Sequence, residues 1–185
     1  MNTVVTSKDE IIKTNRELIQ KQGWSSVSIR SVAAACGVSV GSIYNYFESK
    51  EELMGATVES VWQEIFHEPE GGEIPEDTLA CVFWMYRRME EGQGRYPGFF
   101  TLHSLGFLGE ERTGGRQRMK RVWTHISDGL AQVLKRDPRV RPDAFTEEFP
   151  AERFAEVLFS LMLSALLRQD YDPGAALEIV RRTVY

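Results

Sequence analysis

The sequence predicts an all-α protein, and two observations carry this prediction. Strand signals are nearly absent, since no sustained period-2 alternation and no Asn-Gly hairpin turn occurs. Apolar residues instead recur at helical spacing along the whole chain. The 185 residues fit one domain or two small ones, and a composition of 42% hydrophobic and 26% charged residues is typical of a soluble globular protein.

The first helix is predicted to begin at Ser7, because Ser7 and Glu10 have the spacing of a capping box. Gly23 is predicted to end it, since glycine favours the position after a helix. Its apolar stripe consists of Ile11, Leu18 and Ile19.

Residues 28–50 predict a helix-turn-helix, with helices over 29–36 and 39–46. Ala33 supplies the small side chain where two steeply crossed helices touch, and Gly37 tolerates positive φ at the turn. The second helix of such a motif enters the DNA major groove. An ordinary helical hairpin in a bundle is the alternative, but the agreement of most spacing-dependent positions favours DNA binding. The apolar positions expected to meet are Val32, Cys36, Val38, Ile43 and Tyr46.

Ser49 and Glu52 form a second capping box, which opens a helix that runs to about His67. We expect this helix to connect the N-terminal motif to the rest of the chain. A loop follows around Pro75, and Gly92, Gly94 and Pro97 are expected to end the helix after it. The later helices are predicted over residues 79–89, 97–107, 116–135, 151–167 and 173–184.

Several segments around the predicted motif carry a family resemblance. They are Gly23-Trp24, Ser28-Ile29-Arg30, residues 33–39 (AAACGVS), residues 41–47 (GSIYNYF) and residues 49–53 (SKEEL). Through them, residues 11–53 resemble the TetR family of bacterial transcriptional regulators. Two positions depart from the family pattern. Thr14-Asn15 replaces a small apolar pair common in the first helix, and Val40 stands where many members carry a lysine.

The resemblance implies a three-helix DNA-binding domain over residues 1–47. It implies a helical effector-binding and dimerisation domain over 48–185, of which 48–67 is the connecting helix. The expected function is that of a cytoplasmic repressor that a small-molecule effector releases from a palindromic operator. The expected partners are double-stranded DNA, a second copy of the chain and the effector, with no cofactor, metal or membrane.

The predicted DNA contacts lie in and around the second helix of the motif. Ser39 is expected to cap that helix, and Asn45 to read an adenine edge. Tyr46 has two alternatives, a hydroxyl contact with DNA or a ring in the core. By resemblance, Lys50 is expected to anchor a phosphate. The full predicted set is Ser28, Arg30, Ser39, Val40, Gly41, Ser42, Tyr44, Asn45, Tyr46 and Lys50.

The net charge of −5 is unusual for a DNA-binding protein, but the charge is unevenly distributed. Residues 1–50 carry a net charge of +2, and the remainder carries −7. The basic excess therefore lies in the predicted DNA-binding segment, which is consistent with a protein that uses only its N-terminal end on DNA.

The helix over 151–167 is apolar nearly all round, which predicts burial on both sides. We expect one side to form a homodimer interface together with the last helix; the alternative is a central helix of a monomeric core. Which face of this helix meets the partner is left open. The predicted interface residues are Phe154, Leu158, Phe159, Met162, Leu166, Leu177, Val180 and Val184.

Aromatic residues are frequent between Pro75 and the last helix, where they line either a plain core or a ligand cavity. The resemblance favours an apolar effector cavity with a few polar side chains. Its predicted lining is Phe83, Tyr86, Phe100, His103, Trp123, Ile126 and Met162.

Other classes of function find little support. Glu64 and His67 have the spacing of a helical di-iron ligand pair, but no second Glu-x-x-His occurs, and no clustered His or Cys suggests zinc. No apolar run reaches the length of a membrane span, and the N-terminus lacks the pattern of a secretory signal. Cys36 and Cys81 are expected to be reduced thiols. A helical dimeric enzyme, or a scaffold with a non-functional DNA reader, remains the alternative.

Overall fold

The structure is a computed structural model that describes residues 6–24, 27–66, 75–97, 99 and 113–185. Within these ranges the secondary structure consists of eight α-helices and no strand, which confirms the all-α prediction. None of the helices in the described ranges is long and apolar enough to cross a membrane. The helices are α1 (Lys8–Gln22), α2 (Ile29–Cys36), α3 (Val40–Tyr44), α4 (Lys50–Phe66), α5 (Thr78–Arg95), α6 (Thr113–Arg136), α7 (Ala151–Arg168) and α8 (Gly174–Val184).

Most predicted helix ends are close to those observed, but α5 is longer than predicted. Gly92 and Gly94 do not end this helix, which continues to Arg95. Gly92 is buried, and its missing side chain leaves room for Ile65. The glycine therefore serves close packing rather than termination. The helix predicted over 97–107 falls, except for Phe99, outside the described residues.

The chain divides into two compact units. The first consists of Met1–Glu64 and Gln93–Met119, and the second of Ile65–Gly92 and Lys120–Tyr185. The predicted DNA-binding segment 1–47 lies within the first unit. The predicted domain boundary after residue 47 stays a prediction.

The first unit is organised around the apolar faces of α1 to α4. Its fully buried side chains include Ile11, Ile19, Ile43, Phe47 and Trp62. Asn15, at one of the two positions that depart from the family pattern, is also fully buried and donates to the Thr57 hydroxyl across α1 and α4 at 2.8 Å.

Glu64, at the end of α4, joins three segments of the first unit. Its carboxylate pairs with Arg16 of α1 and with Arg95 of α5, each at 2.7 Å. It also accepts a hydrogen bond from the Tyr96 hydroxyl at 3.1 Å. Burial, together with the neighbouring Glu64 carboxylate, raises the pKa of Tyr96 to about 12. Tyr96 therefore stays neutral and keeps donating this bond throughout the physiological pH range.

In the second unit, the predicted dimer-interface residues form the core of the chain itself. Phe154, Leu158, Phe159, Met162, Leu166, Val180 and Val184 are all buried within the single chain, and Leu177 is half-buried. These side chains contribute to the core of their own chain, and their assignment to a dimer interface stays a prediction. The apolar side chains that α7 and α8 expose are Val157, Leu167 and Ile179.

Substitution of Gly92 by alanine tests the close packing of α5. A Cβ at this position would lie 2.7 Å from Ile65 Cδ1 and 2.9 Å from its Cγ1, so the Ile65 side chain must move. Overpacking of this kind costs about 1–3 kcal/mol, while alanine gains up to about 1 kcal/mol in helix propensity. We expect Gly92→Ala to lower the free energy of unfolding by about 1 kcal/mol, measured by urea denaturation.

Gly129→Ala provides the matched control. Gly129 lies inside α6, and a Cβ there meets nothing within 4 Å. This substitution is expected to stabilise the protein by up to about 1 kcal/mol. Ile65→Val removes the closest carbon atom and should reduce the effect of Gly92→Ala in the double variant. Equal stabilisation by both glycine substitutions would contradict the packing role of Gly92.

Candidate nucleic-acid interface

The turn between α2 and α3 is fixed by local hydrogen bonds and one left-handed residue. Gly37 has φ 67° and ψ 28°, a conformation that glycine adopts without steric strain. The amide of Val38 donates to the Ala33 carbonyl at 3.0 Å, which closes the end of α2. Val32 and Ala33 are buried, and Ala33 is thus the small inward residue that the motif requires.

A capping box that the sequence did not suggest fixes the start of α2. The Ser28 hydroxyl accepts from the Ser31 amide at 3.1 Å, and the Ser31 hydroxyl accepts from the Ser28 amide at 2.9 Å. Serine takes the place that glutamate or glutamine usually fills in this motif, so the usual pattern does not identify it. The box holds Ser28 at the surface, and Arg30, which follows it, is exposed.

Helix α3 is a single short turn of helix that buries only Ile43. The Ser39 hydroxyl caps it by accepting from the Ser42 amide at 3.1 Å, as predicted. The Ser39 and Ser42 hydroxyl oxygens are also 2.8 Å apart and share a hydrogen bond. The two serines therefore organise the first turn of α3.

The outward face of α3 is more apolar than an ordinary solvent-exposed turn. Tyr44 is 51% exposed and Val40 38% exposed, and Gly41 between them presents bare backbone. Asn45, the cap at the end of α3, is also exposed. This surface combines a methyl-bearing side chain, an aromatic hydroxyl and an amide, groups that contact base edges and phosphates in DNA complexes.

Two cations lie at the borders of this surface. Lys50 is the exposed first residue of α4, and Arg30 is exposed in the first turn of α2. The predicted DNA-contacting residues are thus exposed or half-exposed and lie along α2, α3 and the start of α4. Their individual contacts with DNA remain predictions.

The Tyr46 ring is not part of the core, and its hydroxyl has a partner within the protein. Its ring is 38% exposed, and its hydroxyl donates to the backbone carbonyl of Thr6 at 2.6 Å. Lys8, in the first turn of α1, lies nearby, with its ammonium 5.0 Å from the centre of the Phe47 ring. Sequence reasoning did not identify Thr6 or Lys8, because they lie about forty residues before Tyr46 and Phe47 and no local pattern marks them.

The predicted effector-lining residues that the structure describes in the second unit differ in burial. Tyr86 and Met162 are buried, Trp123 and Ile126 are half-buried, and Phe83 is half exposed. Burial raises the pKa of Tyr86, an effect that the Arg168 charge partly opposes. Tyr86 is therefore a neutral hydroxyl at physiological pH. Phe100 and His103 fall outside the described residues.

Among the described residues, no group of three or more His, Cys, Asp or Glu side chains is arranged to hold a metal ion. Cys36 is a free, half-buried thiol, and Cys81 is a free, buried thiol. Burial, together with the charge of Asp77, raises the pKa of Cys81 to about 12. Cys81 is therefore a protonated core residue.

Comparison with known families identifies the N-terminal segment. Residues 11–57 match the family described as "Bacterial regulatory proteins, tetR family". The matched segment contains α2, the turn, α3 and the first half of α4.

Curated relatives that match part of the chain are named as transcriptional regulators. The uncharacterized HTH-type transcriptional regulator YerO of Bacillus subtilis (strain 168) is 43% identical over 47 residues, which cover 25% of this chain and 16% of the relative. The HTH-type transcriptional regulator HbdR of Aromatoleum sp. (strain CIB) is 30% identical over 90 residues, covering 46% of this chain and 39% of the relative. The chain thus spans well under half the length of these relatives.

Solved structures share the fold over nearly the whole chain at low sequence identity. The reduced form of Escherichia coli NemR superposes with a TM-score of 0.67 at 20% identity, covering 96% of this chain and 97% of that one. The protein BioQ, solved with its double-stranded DNA operator, gives 0.64 at 14% identity, with coverages of 96% and 97%. The multidrug-binding protein EbrR, solved with imidazole, gives 0.64 at 22% identity, with coverages of 98% and 96%.

Proposed function

We propose that this chain is a member of the tetR family of bacterial regulatory proteins, whose family pattern residues 11–57 match, and that it is a transcriptional regulator that binds duplex DNA. The observation that carries the proposal is the exposed face of α3. A helix that buries only Ile43 exposes Val40 and Tyr44, and this face follows a turn whose geometry leaves α3 at the protein surface. An ordinary helical hairpin would bury such side chains against a neighbour.

The regulator acts as a homodimer on a palindromic operator. Two-fold symmetric helix-turn-helix proteins read two half-sites about one helical turn of DNA apart. The interface is formed by the outward faces of α7 and α8 rather than by their buried residues. Val157 and Leu167 on α7 and Ile179 on α8 are the exposed apolar side chains that support this arrangement. Sedimentation of the chain at several concentrations tests the dimer.

Repression that is relieved by a small molecule is the proposed mode of regulation. The effector binds in the second unit, where the buried Tyr86 supplies a polar hydroxyl. It releases DNA only if it binds the non-DNA-binding arrangement more tightly. A small-molecule library screened by melting temperature and operator affinity tests this; a screen in which no compound changes either value argues against effector control.

Selection of bound sequences from a random duplex pool tests the proposed function directly. A regulator of this kind should enrich one sequence with two-fold symmetry, and the enriched site gives the half-site spacing at the same time. Failure to enrich any duplex at low ionic strength would contradict DNA binding, because non-specific phosphate contacts are strongest there.

Asn45→Ala is expected to reduce sequence discrimination. Asn45 is exposed, and its amide has the donor and acceptor that pair with an adenine edge. The loss of such a contact costs about 1–3 kcal/mol of discrimination against the wrong base. Binding isotherms on the selected and scrambled duplexes measure the effect as a ratio. An unchanged ratio would show that Asn45 does not read a base.

Lys50→Ala is expected to weaken binding to all duplexes alike. A lysine that contacts a phosphate displaces roughly one counterion, so its removal should reduce the slope of log K against log salt by about 1. Titrations of specific and scrambled duplexes at several salt concentrations measure this slope. Lys21→Ala, at an exposed lysine in the last turn of α1, is the charge-matched control. A change in the specific duplex alone would contradict a phosphate contact.

A further inference from the structure

Three contacts join the start of α1 to residues 46–52, which follow α3. The Tyr46 hydroxyl donates to the Thr6 carbonyl at 2.6 Å. The Lys8 ammonium lies 5.0 Å from the centre of the Phe47 ring and 3.8 Å from the Glu52 carboxylate. All three contacts join residues about forty positions apart in the sequence.

The hydrogen bond to Thr6 determines what the Tyr46 hydroxyl is able to do. A tyrosine hydroxyl has one proton to donate, and a phosphate oxygen only accepts. While Tyr46 donates to Thr6, it has no proton for a DNA phosphate. The Tyr46 hydroxyl is thus engaged within the protein, unlike that of Tyr44, which is exposed and has no hydrogen bond among the described residues.

Helix α3 needs support from outside itself. It has five residues, and helices this short are unstable unless other parts of the protein hold them. After α3, the amides of Tyr46 and Phe47 both donate to the Ile43 carbonyl, at 3.0 and 3.1 Å. The chain therefore turns sharply at the residues that contact the start of α1.

The Glu52 carboxylate extends the attachment into α4. It accepts from the Glu48 amide at 2.6 Å and pairs with Lys8, so the link between α3 and α4 is bonded to the same part of α1. The Ser7 hydroxyl caps α1 beside these contacts by accepting from the Glu10 amide at 3.1 Å. The start of α1 is therefore itself ordered and provides a fixed point.

We propose that Tyr46 is a positioning residue, which, together with Lys8, sets the orientation of α3 by clamping its C-terminal end to the start of α1. This inference rests on the proposed DNA-binding function. It assigns to Tyr46 an indirect effect on base reading and no direct polar contact with DNA. Loss of the clamp misaligns the α3 side chains with the bases, whereas non-specific phosphate contacts tolerate a small change of pose.

Tyr46→Phe tests the proposal, because it removes the hydroxyl and leaves the ring. The ratio of affinities for the selected and scrambled duplexes should fall about tenfold, the effect of losing one well-aligned base contact. A direct phosphate contact would weaken both duplexes equally and leave the ratio unchanged. Tyr44→Phe is the matched control, since it removes an exposed hydroxyl from the same segment. It should not change hydrogen exchange at the Tyr46 and Phe47 amides, the second measurement of the clamp.

Hydrogen exchange of the free protein supplies a readout that does not depend on DNA. Tyr46→Phe should speed exchange of the Tyr46 and Phe47 amides about threefold or more, because local opening becomes easier. Lys8→Met, which keeps the aliphatic stem and removes the charge, should act in the same direction. Lys21→Met, at the other end of α1, should leave these amides unchanged.

The outcomes separate this inference from the proposed function. If the unmodified protein prefers no duplex, the regulatory function fails, and faster exchange would still report the clamp. If it prefers one duplex and Tyr46→Phe leaves the affinity ratio unchanged, the positioning role is overturned, whether or not exchange changes. An equal loss for both duplexes without faster exchange would show a direct phosphate contact and would also overturn it.

Discussion

Replacing Phe47 with alanine is expected to lower the free energy of unfolding by about 3–5 kcal/mol, the usual cost of removing a fully buried aromatic ring. Phe47 is 1% exposed and lies three residues after the end of α3. The Lys8 ammonium lies over its ring, 5.0 Å from the centre. The loss should therefore disturb the predicted DNA-binding segment more than the rest of the chain. Urea denaturation measures the stability, and amide exchange within α2 and α3 locates the change.

Phe83→Ala is the matched control for Phe47→Ala. Phe83 is 50% exposed on α5, so its truncation should change the free energy of unfolding by about 0.5 kcal/mol or less. The two substitutions remove the same atoms, and only burial differs. Similar effects from both would show that Phe47 is not a core residue and would undermine the placement of α3.

The N-terminal motif was predictable because its signals are local. Ser7 and Ser39 cap helices through bonds to amides three residues ahead, and Gly37 adopts the left-handed conformation that the turn requires. Such interactions depend on a few neighbouring residues, so the sequence alone indicates them. The boundary of α3 was less certain. Its helix ends at Tyr44, two residues before the predicted end, because Asn45 and Tyr46 continue as a turn.

The inward and outward faces of α7 were not predictable at residue level, because the packing that distinguishes them is not local. Helix α7 is apolar on most sides, and hydropathy does not distinguish a face that meets its own core from one that meets a partner. The structure buries Phe154, Leu158 and Met162 within the chain and leaves Val157 and Leu167 exposed. Long-range packing decides which residues are buried, so the sequence indicated the helix but not its outward face.

Polar contacts between segments that are distant in the sequence could likewise not be predicted from it. The bond from Tyr46 to Thr6 spans 40 positions, and that from Arg95 to Glu64 spans 31. Neither pair has a spacing that suggests contact. The same is true of the buried Asp137, which follows α6 and accepts hydrogen bonds from Thr78 and Tyr185.

Asp137→Ala is expected to lower the free energy of unfolding by about 3 kcal/mol, because it removes the acceptor of the buried Thr78 amide and of two partly buried donors. Asp137 is 4% exposed. Its carboxylate accepts from the Thr78 amide at 2.8 Å, from the Arg139 amide at 3.0 Å and from the Tyr185 hydroxyl. The cluster ties the start of α5 to the end of α6 and to the residue after α8. Thermal or urea unfolding measures the loss.

The stabilisation by Asp137 should also depend on pH. Burial alone would raise the pKa of Asp137, but the hydrogen bonds from Tyr185, Thr78 and Arg139 outweigh it and hold the pKa well below its usual range. A carboxyl whose folded-state pKa is depressed stabilises the protein above its unfolded pKa of about 3.9 and loses that contribution as the pH falls. The stability difference between the unmodified protein and Asp137→Asn should therefore be largest at pH 7 and decrease from about pH 5 downward.

Asp143→Asn provides the control for this pH dependence. Asp143 is exposed in the connection between α6 and α7, so its substitution should change stability by about 0.5 kcal/mol or less at pH 7 and at pH 4 alike. If the difference for Asp137→Asn instead grew as the pH fell, the folded-state pKa of Asp137 would be raised. Burial would then outweigh the hydrogen bonds, and the cluster would not hold an ionised carboxylate.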